Sequence, residues 1–224
     1  MTVILPQQTS GQIGMRGTAP DADPPVLYLL HGLSDDDTIW LRRTSIERYV
    51  SAMGLAVIMP QVHRSFYTDE ARGLRYWTFL TEELPELIGR FFRLSSQPTE
   101  TFVAGLSMGG YGAFKWALRE PDRFAAAASL SGALNIARDE NSDRWPQDPA
   151  FADRLFGNRS PAGSDDDVLW LVRRTGLTAA TCPQLYLCCG TDDPLFADNV
   201  HFRDVAVERG LPLTVDFGPG EHEW

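Results

Sequence analysis

Thr101-Phe102-Val103-Ala104-Gly105-Leu106-Ser107-Met108-Gly109-Gly110 is the stretch on which the reading of this chain turns. Its centre, Gly105 to Gly109, has the form Gly-x-Ser-x-Gly. Five residues of that form recur by chance in many proteins, so the flanks carry the weight. Residues 101–104 are apolar or β-branched and read as a buried strand. Residues 109–119 read as a helix that stops short of Pro121. A serine on a tight strand-to-helix turn needs small neighbours, because flanking side chains would collide with strand and helix. The turn lifts Oγ clear of the sheet edge. It also sets the Met108 N–H at the helix N-terminus, where the dipole favours an anion. Ser107 is the candidate nucleophile.

The same alternation runs along the chain. Further strands are predicted at 3–5, 26–30, 55–59, 126–130, 185–189 and 213–217, several of them apolar throughout, as strands covered on both faces are. Helices are predicted at 44–53, with Thr44 or Ser45 as cap, and at 81–92, 166–174 and 199–209. This pattern predicts an α/β protein with a mostly parallel central sheet and helices on both faces, a three-layer αβα arrangement. Residues 9–25 and 136–164 lack periodicity and read as loops. The second is expected to sit over the active site. No repeat or linker divides the sequence, so a single domain is expected over residues 1–224.

Residues 26–30 run directly into His31-Gly32-Leu33. In α/β-hydrolases the loop after an early strand supplies the second oxyanion donor through a backbone N–H. Leu33 N–H is the candidate, beside Met108 N–H, and Gly32 lets the backbone approach a substrate oxygen closely. His31 is assigned to orienting this loop by hydrogen bonding rather than to titrating. The chain order in such enzymes is serine, acid, histidine. Of the four histidines, only His201 and His222 follow Ser107. His201 falls within a predicted helix, whereas His222 lies in a loop just past the last strand, where a general base belongs. The acid should follow the strand at 185–189, and Gly190-Thr191-Asp192-Asp193 offers two adjacent aspartates. The residues alone leave both open.

A net charge of −10 argues against nucleic acid as a partner, because phosphate binding needs clustered Lys and Arg. Lys115 is the single lysine of the chain. The three cysteines, Cys182, Cys188 and Cys189, lack zinc-ligand or disulfide spacing and read as small buried apolar residues. The N-terminal segment does not read as a signal peptide, and no apolar run approaches the ~20 residues that cross a bilayer. The expectation is a cytoplasmic protein without membrane contact. Asp35-Asp36-Asp37 reads as a solvated loop, since three consecutive carboxylates cannot readily face one ion. His63 and Tyr67 follow a predicted strand, and a surface role suits them as well as a place near the site. Tyr76, Trp77, Phe79, Phe91 and Phe92 read as core residues.

Six segments carry a family resemblance: LYLLHGLSDDDTIWLRRTSIERY (27–49), ELPELIGRFF (83–92), FVAGLSMGGYGAFKWAL (102–118), SLSGAL (129–134), CGTDDPLFADN (189–199) and EHEW (221–224). Together they resemble the tributyrin esterase group, within the esterase D and feruloyl/acetyl-xylan esterase branch of the α/β-hydrolases. The resemblance implies a carboxylesterase for small-molecule esters of short acyl chains, acetyl to butyryl, with no metal and no organic cofactor. It implies Asp193 as the acid, His222 as the base, and Leu33 and Met108 as oxyanion donors. Members of that group carry a further strand before the one at 3–5 and a helix after the His-x-Trp, so the expected domain lacks both. Two rival readings share the scaffold: an acyltransferase or thioesterase with the same triad, and a non-catalytic binding protein.

Overall fold

The strands of this chain are short apolar runs, and the computed structural model joins seven of them into one sheet. It describes residues 1–9, 17–137, 150–174 and 176–224. The strands are β1 (Thr2–Ile4), β2 (Val26–Leu30), β3 (Ala56–Met59), β4 (Thr101–Leu106), β5 (Ala126–Leu130), β6 (Gln184–Gly190) and β7 (Leu213–Gly218). Their order is β1-β3-β2-β4-β5-β6-β7. Only β1 pairs antiparallel, on the edge beside β3, and every other pairing is parallel. All seven coincide with the predicted strands to within one or two residues.

Helices cover both faces. They are α1 (Ile39–Arg43), α2 (Ile46–Ser51), α3 (Tyr76–Thr78), α4 (Leu84–Phe91), α5 (Met108–Arg119), α6 (Ala150–Phe156), α7 (Val168–Arg173) and α8 (Phe196–Glu208). Alternation along β2 divides the core in two. Val26, Tyr28 and Leu30 pack with α4, α5, α7 and α8, whereas Leu29 joins Trp40, Val50, Val57 and Met59 under α1 and α2. The helix α5 is buried from Met108 to Leu118, which makes it the central support of the sheet.

Several helix expectations need correction. The single helix predicted at 44–53 is two short ones, because Thr44 is extended (φ −134°, ψ 174°) and its hydroxyl donates to the Trp40 carbonyl at 2.5 Å. The helix predicted at 81–92 starts earlier, with α3 and a π-turn at Phe79–Glu83 leading into α4. Pro85 has no N–H for the Thr81 carbonyl, and Arg123 Nη1 donates to that oxygen instead at 2.7 Å. The helix α6 lies within a stretch read as loop. Burial of Phe151, Leu155 and Phe156 stabilises it, an effect of tertiary packing that composition does not signal. Residues 138–149 of that stretch, and residues 10–16 of the first predicted loop, lie outside the described residues, as does the expectation that the former cover the site. Phe91, read as core, is 73% exposed on the outer face of α4.

The acidic run is not merely solvated. Asp35 accepts the Gly32 N–H at 3.2 Å. Asp36 accepts the Thr38 N–H and hydroxyl at 2.8 and 2.7 Å, and these bonds hold its carboxyl down at about 2. Asp37 accepts the Thr2 hydroxyl at 2.7 Å, which ties β1 to the loop before α1.

Candidate active site

The sheet fixes where a site can form. From β2 the chain continues to β3 on one side, while β4 lies on the other side of β2. A crevice opens at the carboxyl ends of strands where the order reverses in this way. Leu30 at the end of β2 is in register with Gly105 of β4, so the loops at His31 and Ser107 are neighbours.

Ser107 has φ 58° and ψ −115°, a left-handed conformation that is strained for a residue with a Cβ. Close packing holds it there. A Cβ on Gly105 would collide with the backbone of Gly109, and one on Gly109 would collide with the Leu30 carbonyl and lie 2.9 Å from the His31 carbonyl. Ser107 N–H donates to Leu130 of β5 at 2.9 Å, and its carbonyl accepts from Tyr111 and Ala133, each at 3.1 Å. The turn is bolted into three elements.

From this turn Ser107 Oγ–H donates to His222 Nε2 at 2.9 Å. On the other side of the ring His222 Nδ1 lies 2.8 Å from Asp193 Oδ2. A carboxylate only accepts, so Nδ1 carries the proton and Nε2 is free to take the serine's. The loops bearing Asp193 and His222 are stitched together by Thr191 N–H to Gly218 O at 2.8 Å and Asp192 N–H to Gly220 O at 3.0 Å. A side chain on Gly190 would strike the Gly220 carbonyl. The two loops can close only because Gly190 is bare, and Gly220 supplies the left-handed φ of 148° that the turn needs. Beyond His222, the Trp224 ring rests edge-on against Trp40, with centroids 4.7 Å apart.

Asp193 has no exposed side-chain surface, whereas the His222 side chain keeps 32%. Burial acts to raise the Asp193 carboxyl, but donors on Leu195, His222 and Ser131 outweigh it and hold it below the ordinary carboxylate value. The Leu195 N–H bond is 2.7 Å long. Asp192, the other aspartate left open by the sequence, is exposed and contributes its backbone to the loop closure. His201 sits on α8, 3.4 Å from Arg173 and away from this cluster.

The loop after β2 is fixed by His31. Its Nδ1 lies 2.7 Å from the Gly32 carbonyl, and its Nε2 accepts the Val62 N–H at 3.1 Å. Those partners require a neutral ring protonated on Nδ1, and burial lowers its pKa in the same sense. Tyr67 donates its hydroxyl to the His31 carbonyl at 2.8 Å. Among the described residues neither Leu33 N–H nor Met108 N–H has an acceptor in the chain.

Behind Tyr67 lies a charged pair that the sequence reading missed. Lys115 is wholly buried on α5 and spends its three donors on Tyr67 O (2.7 Å), Thr68 Oγ1 (2.9 Å) and Asp166 Oδ1 (2.6 Å). Its ammonium also stands 4.6 Å from the centre of the Trp77 ring. Burial lowers Lys115 to about 8, since its attraction to Asp166 offsets only part of the lost hydration. The Asp166 side chain retains 11% exposure. Burial acts to raise its carboxyl, but the ammonium prevails and the net shift is downward. Of the two places that suit Tyr67, at the surface or near the site, the structure gives the second: it is fully buried and holds the loop after β2. Ser131 was also missed. Its only signal was a serine at the end of a strand.

Next to Leu33 opens a cavity of about 460 Å³, lined by Ser34, Asp35, His63, Arg64, Tyr76 and Arg154 among others. His63, although exposed, forms part of its wall. The three cysteines are free, and burial pushes the Cys182 and Cys189 thiols up to about 11. Among the described residues no group of three or more His, Cys, Asp or Glu side chains is placed to hold a metal ion, and no helix is long and apolar enough to cross a membrane.

The Esterase family model matches residues 3–209. An acetyl esterase from Caldicellulosiruptor saccharolyticus is 31% identical over 205 residues, covering 88% of this chain and 77% of that protein. Two solved structures from Staphylococcus aureus are each 35% identical at a TM-score of 0.81 and cover 99% of this chain. One is the fluorophosphonate-binding serine hydrolase F with substrate bound, of which 84% is covered, and the other the S-formylglutathione hydrolase apoenzyme, of which 85% is covered. With the match over nearly the whole chain, this protein belongs to the Esterase family, serine hydrolases of carboxylic esters built on the α/β-hydrolase fold.

Proposed function

We propose that Ser107, His222 and Asp193 are the catalytic triad of a carboxylesterase acting on short acyl esters, in the manner of the tributyrin esterase group. The observation that carries this reading is the continuous run of hydrogen bonds, Ser107 Oγ to His222 Nε2 at 2.9 Å and His222 Nδ1 to Asp193 Oδ2 at 2.8 Å, on a serine in a strained turn. In this reading Ser107 Oγ attacks the ester carbonyl carbon while its proton passes to His222 Nε2. The carbonyl oxygen becomes an oxyanion and takes the N–H donors of Leu33 and Met108. Each such donor is worth about 10²–10³ in rate. Collapse expels the alcohol, which collects the proton from His222. Water then attacks the acyl-serine with His222 again as base, releasing the acid and restoring Ser107. Asp193 keeps the ring in the Nδ1–H tautomer and stabilises the imidazolium.

A second reading is hydrolysis of thioesters by the same groups. The similarity to S-formylglutathione hydrolases favours it, one from Staphylococcus aureus at 35% identity and one from Arabidopsis thaliana at 25% over 224 residues. The test is turnover of p-nitrophenyl acetate, butyrate and octanoate beside S-acetyl thioesters, with Ser107→Ala as control. Turnover that favours the two short esters and falls by about six orders of magnitude in the variant supports the reading. Turnover unchanged in the variant refutes it.

A further inference from the structure

Among the described residues the Arg64 guanidinium has no anionic partner. The cavity beside Leu33 holds two arginines and two acids, Arg64, Arg154, Asp35 and Glu70. Arg154 pairs with Glu70 at 3.2 Å, whose side chain is nearly buried. Asp35 is engaged by the Gly32 N–H at 3.2 Å. Among the described residues the Arg64 guanidinium has neither an ion pair nor a hydrogen bond. It is nonetheless held in place. Arg154 Nη2 donates to the Arg64 carbonyl at 3.0 Å, and both guanidiniums stand over the Phe151 ring, at 5.2 and 5.1 Å from its centre. The segment that presents Arg64 is strained as well. His63, Phe66 and Tyr67 all have left-handed φ, at 50°, 48° and 49°, and Lys115 pins the last of them through its carbonyl. Strain of this kind persists only where surrounding contacts over-determine it, and it gathers at ligand sites.

A guanidinium stacked on an aromatic face keeps its edge N–H groups free, pre-set for a planar two-oxygen anion. The cavity also has a size to explain. About 460 Å³ suits a ligand body of many atoms, and an acetyl or butyryl group fills only a small part of it. Under the short-acyl esterase reading above, on which this inference rests, the large part of the substrate is the leaving group. We propose that the cavity between Leu33 and Arg154 is the leaving-group subsite, and that it takes an alcohol or thiol carrying a carboxylate, which Arg64 binds bidentately.

The test uses one pair of thioesters, 3-(acetylthio)propanoate and its N-methylamide, which differ in that carboxylate. The readout is the ratio of their kcat/KM values in the wild-type chain, Arg64→Gln and Arg64→Lys. A ratio cancels any general loss of activity or folding. The subsite predicts that the wild-type ratio favours the carboxylate and falls about tenfold in Arg64→Gln, chiefly through KM, with a smaller fall in Arg64→Lys. It also predicts that added salt erodes the wild-type preference. A ratio unchanged in Arg64→Gln overturns the proposal. Calorimetric binding of 3-(acetylthio)propanoate to Ser107→Ala, with and without Arg64→Gln, separates the two readings. If p-nitrophenyl acetate is not hydrolysed, the esterase reading fails by itself, and about tenfold weaker binding in the double variant still supports the subsite. Equal affinities overturn it.

Discussion

The indole ring of Trp224 meets that of Trp40 edge to face, at a centroid distance of 4.7 Å and an interplanar angle of 88°. Trp40 is itself anchored, its Nε1 donating to the Leu30 carbonyl at 3.1 Å. Leu30 is the last residue before His31, so the contact ties the loop of His222 to the strand that leads into Leu33. Trp224→Ala removes this tether two residues from His222. Imprecise positioning of a general base lowers rate steeply, and a fall in kcat of about tenfold is expected, with KM little changed. The loss of stability is about 2–3 kcal/mol, the aromatic pair together with the apolar area of a partly buried indole. Steady-state kinetics beside urea unfolding check both, and an unchanged kcat contradicts the tether.

Asp192 and Asp193 are adjacent, yet the structure gives them opposite environments. Asp193→Asn leaves the geometry nearly intact but lets His222 take the wrong tautomer. By analogy with other triads its kcat falls by about 10⁴. Asp192→Asn keeps the backbone bond to Gly220 and is expected to stay within about threefold of wild type, in the range of a surface change. Equal effects of the two substitutions would contradict the assignment.

The Tyr67 ring lies flat against α5 where residue 112 is glycine, and a Cβ there would collide with it. Its hydroxyl then reaches the His31 carbonyl. Tyr67→Phe removes that bond and leaves a buried carbonyl unpaired, which costs about 1–3 kcal/mol of stability. The displaced loop carries the Leu33 N–H, so kcat is expected to fall about tenfold while KM for a short ester changes little. Gly112→Ala should reproduce the kinetic defect by pushing the ring away. A Tyr67→Phe chain with wild-type kcat would show that the loop is positioned without it.

Lys115 makes the pH prediction. As the single lysine, it gives one side-chain Cε signal in a chain labelled with ¹³C-lysine. That signal is expected to titrate near 8 rather than 10.5, because burial disfavours the ammonium. Between those values the unfolded chain binds more protons than the native one. Stability from this group therefore rises with pH across the window from about 8 to about 10.5. A midpoint at or above 10.5 contradicts the burial. Lys115→Met strands Asp166 and should destabilise by about 3–5 kcal/mol, and Asp166→Asn in the same chain should recover part of it. Urea denaturation of the two variants beside the wild-type chain measures this.

The serine turn between β4 and α5 and the histidine loop after β7 were legible because their signals are short-range. Glycines flank a serine between a strand and a helix, and a histidine follows the last strand. The strand pattern was legible for the same reason, since burial on both faces writes itself as continuous apolar runs. The break at Thr44 and the π-turn before Pro85 were not, because a single hydroxyl and an arginine 42 residues from Thr81 decide them.

The sequence by itself determined the layered α/β architecture and the serine turn between a strand and a helix, both of which follow from local periodicity and turn chemistry. Tertiary structure decided what the residues by themselves left open. In space, closure of the Gly190 and Gly220 loops directs Asp193 rather than Asp192 at His222. Lys115 finds its acid in Asp166, 51 residues away, and Trp224 finds Trp40. Among the described residues Arg64 is left with no acid. These partners are far apart in the chain and are matched by packing and desolvation. The energy of each depends on what the folded molecule brings beside it, which no short window of sequence contains.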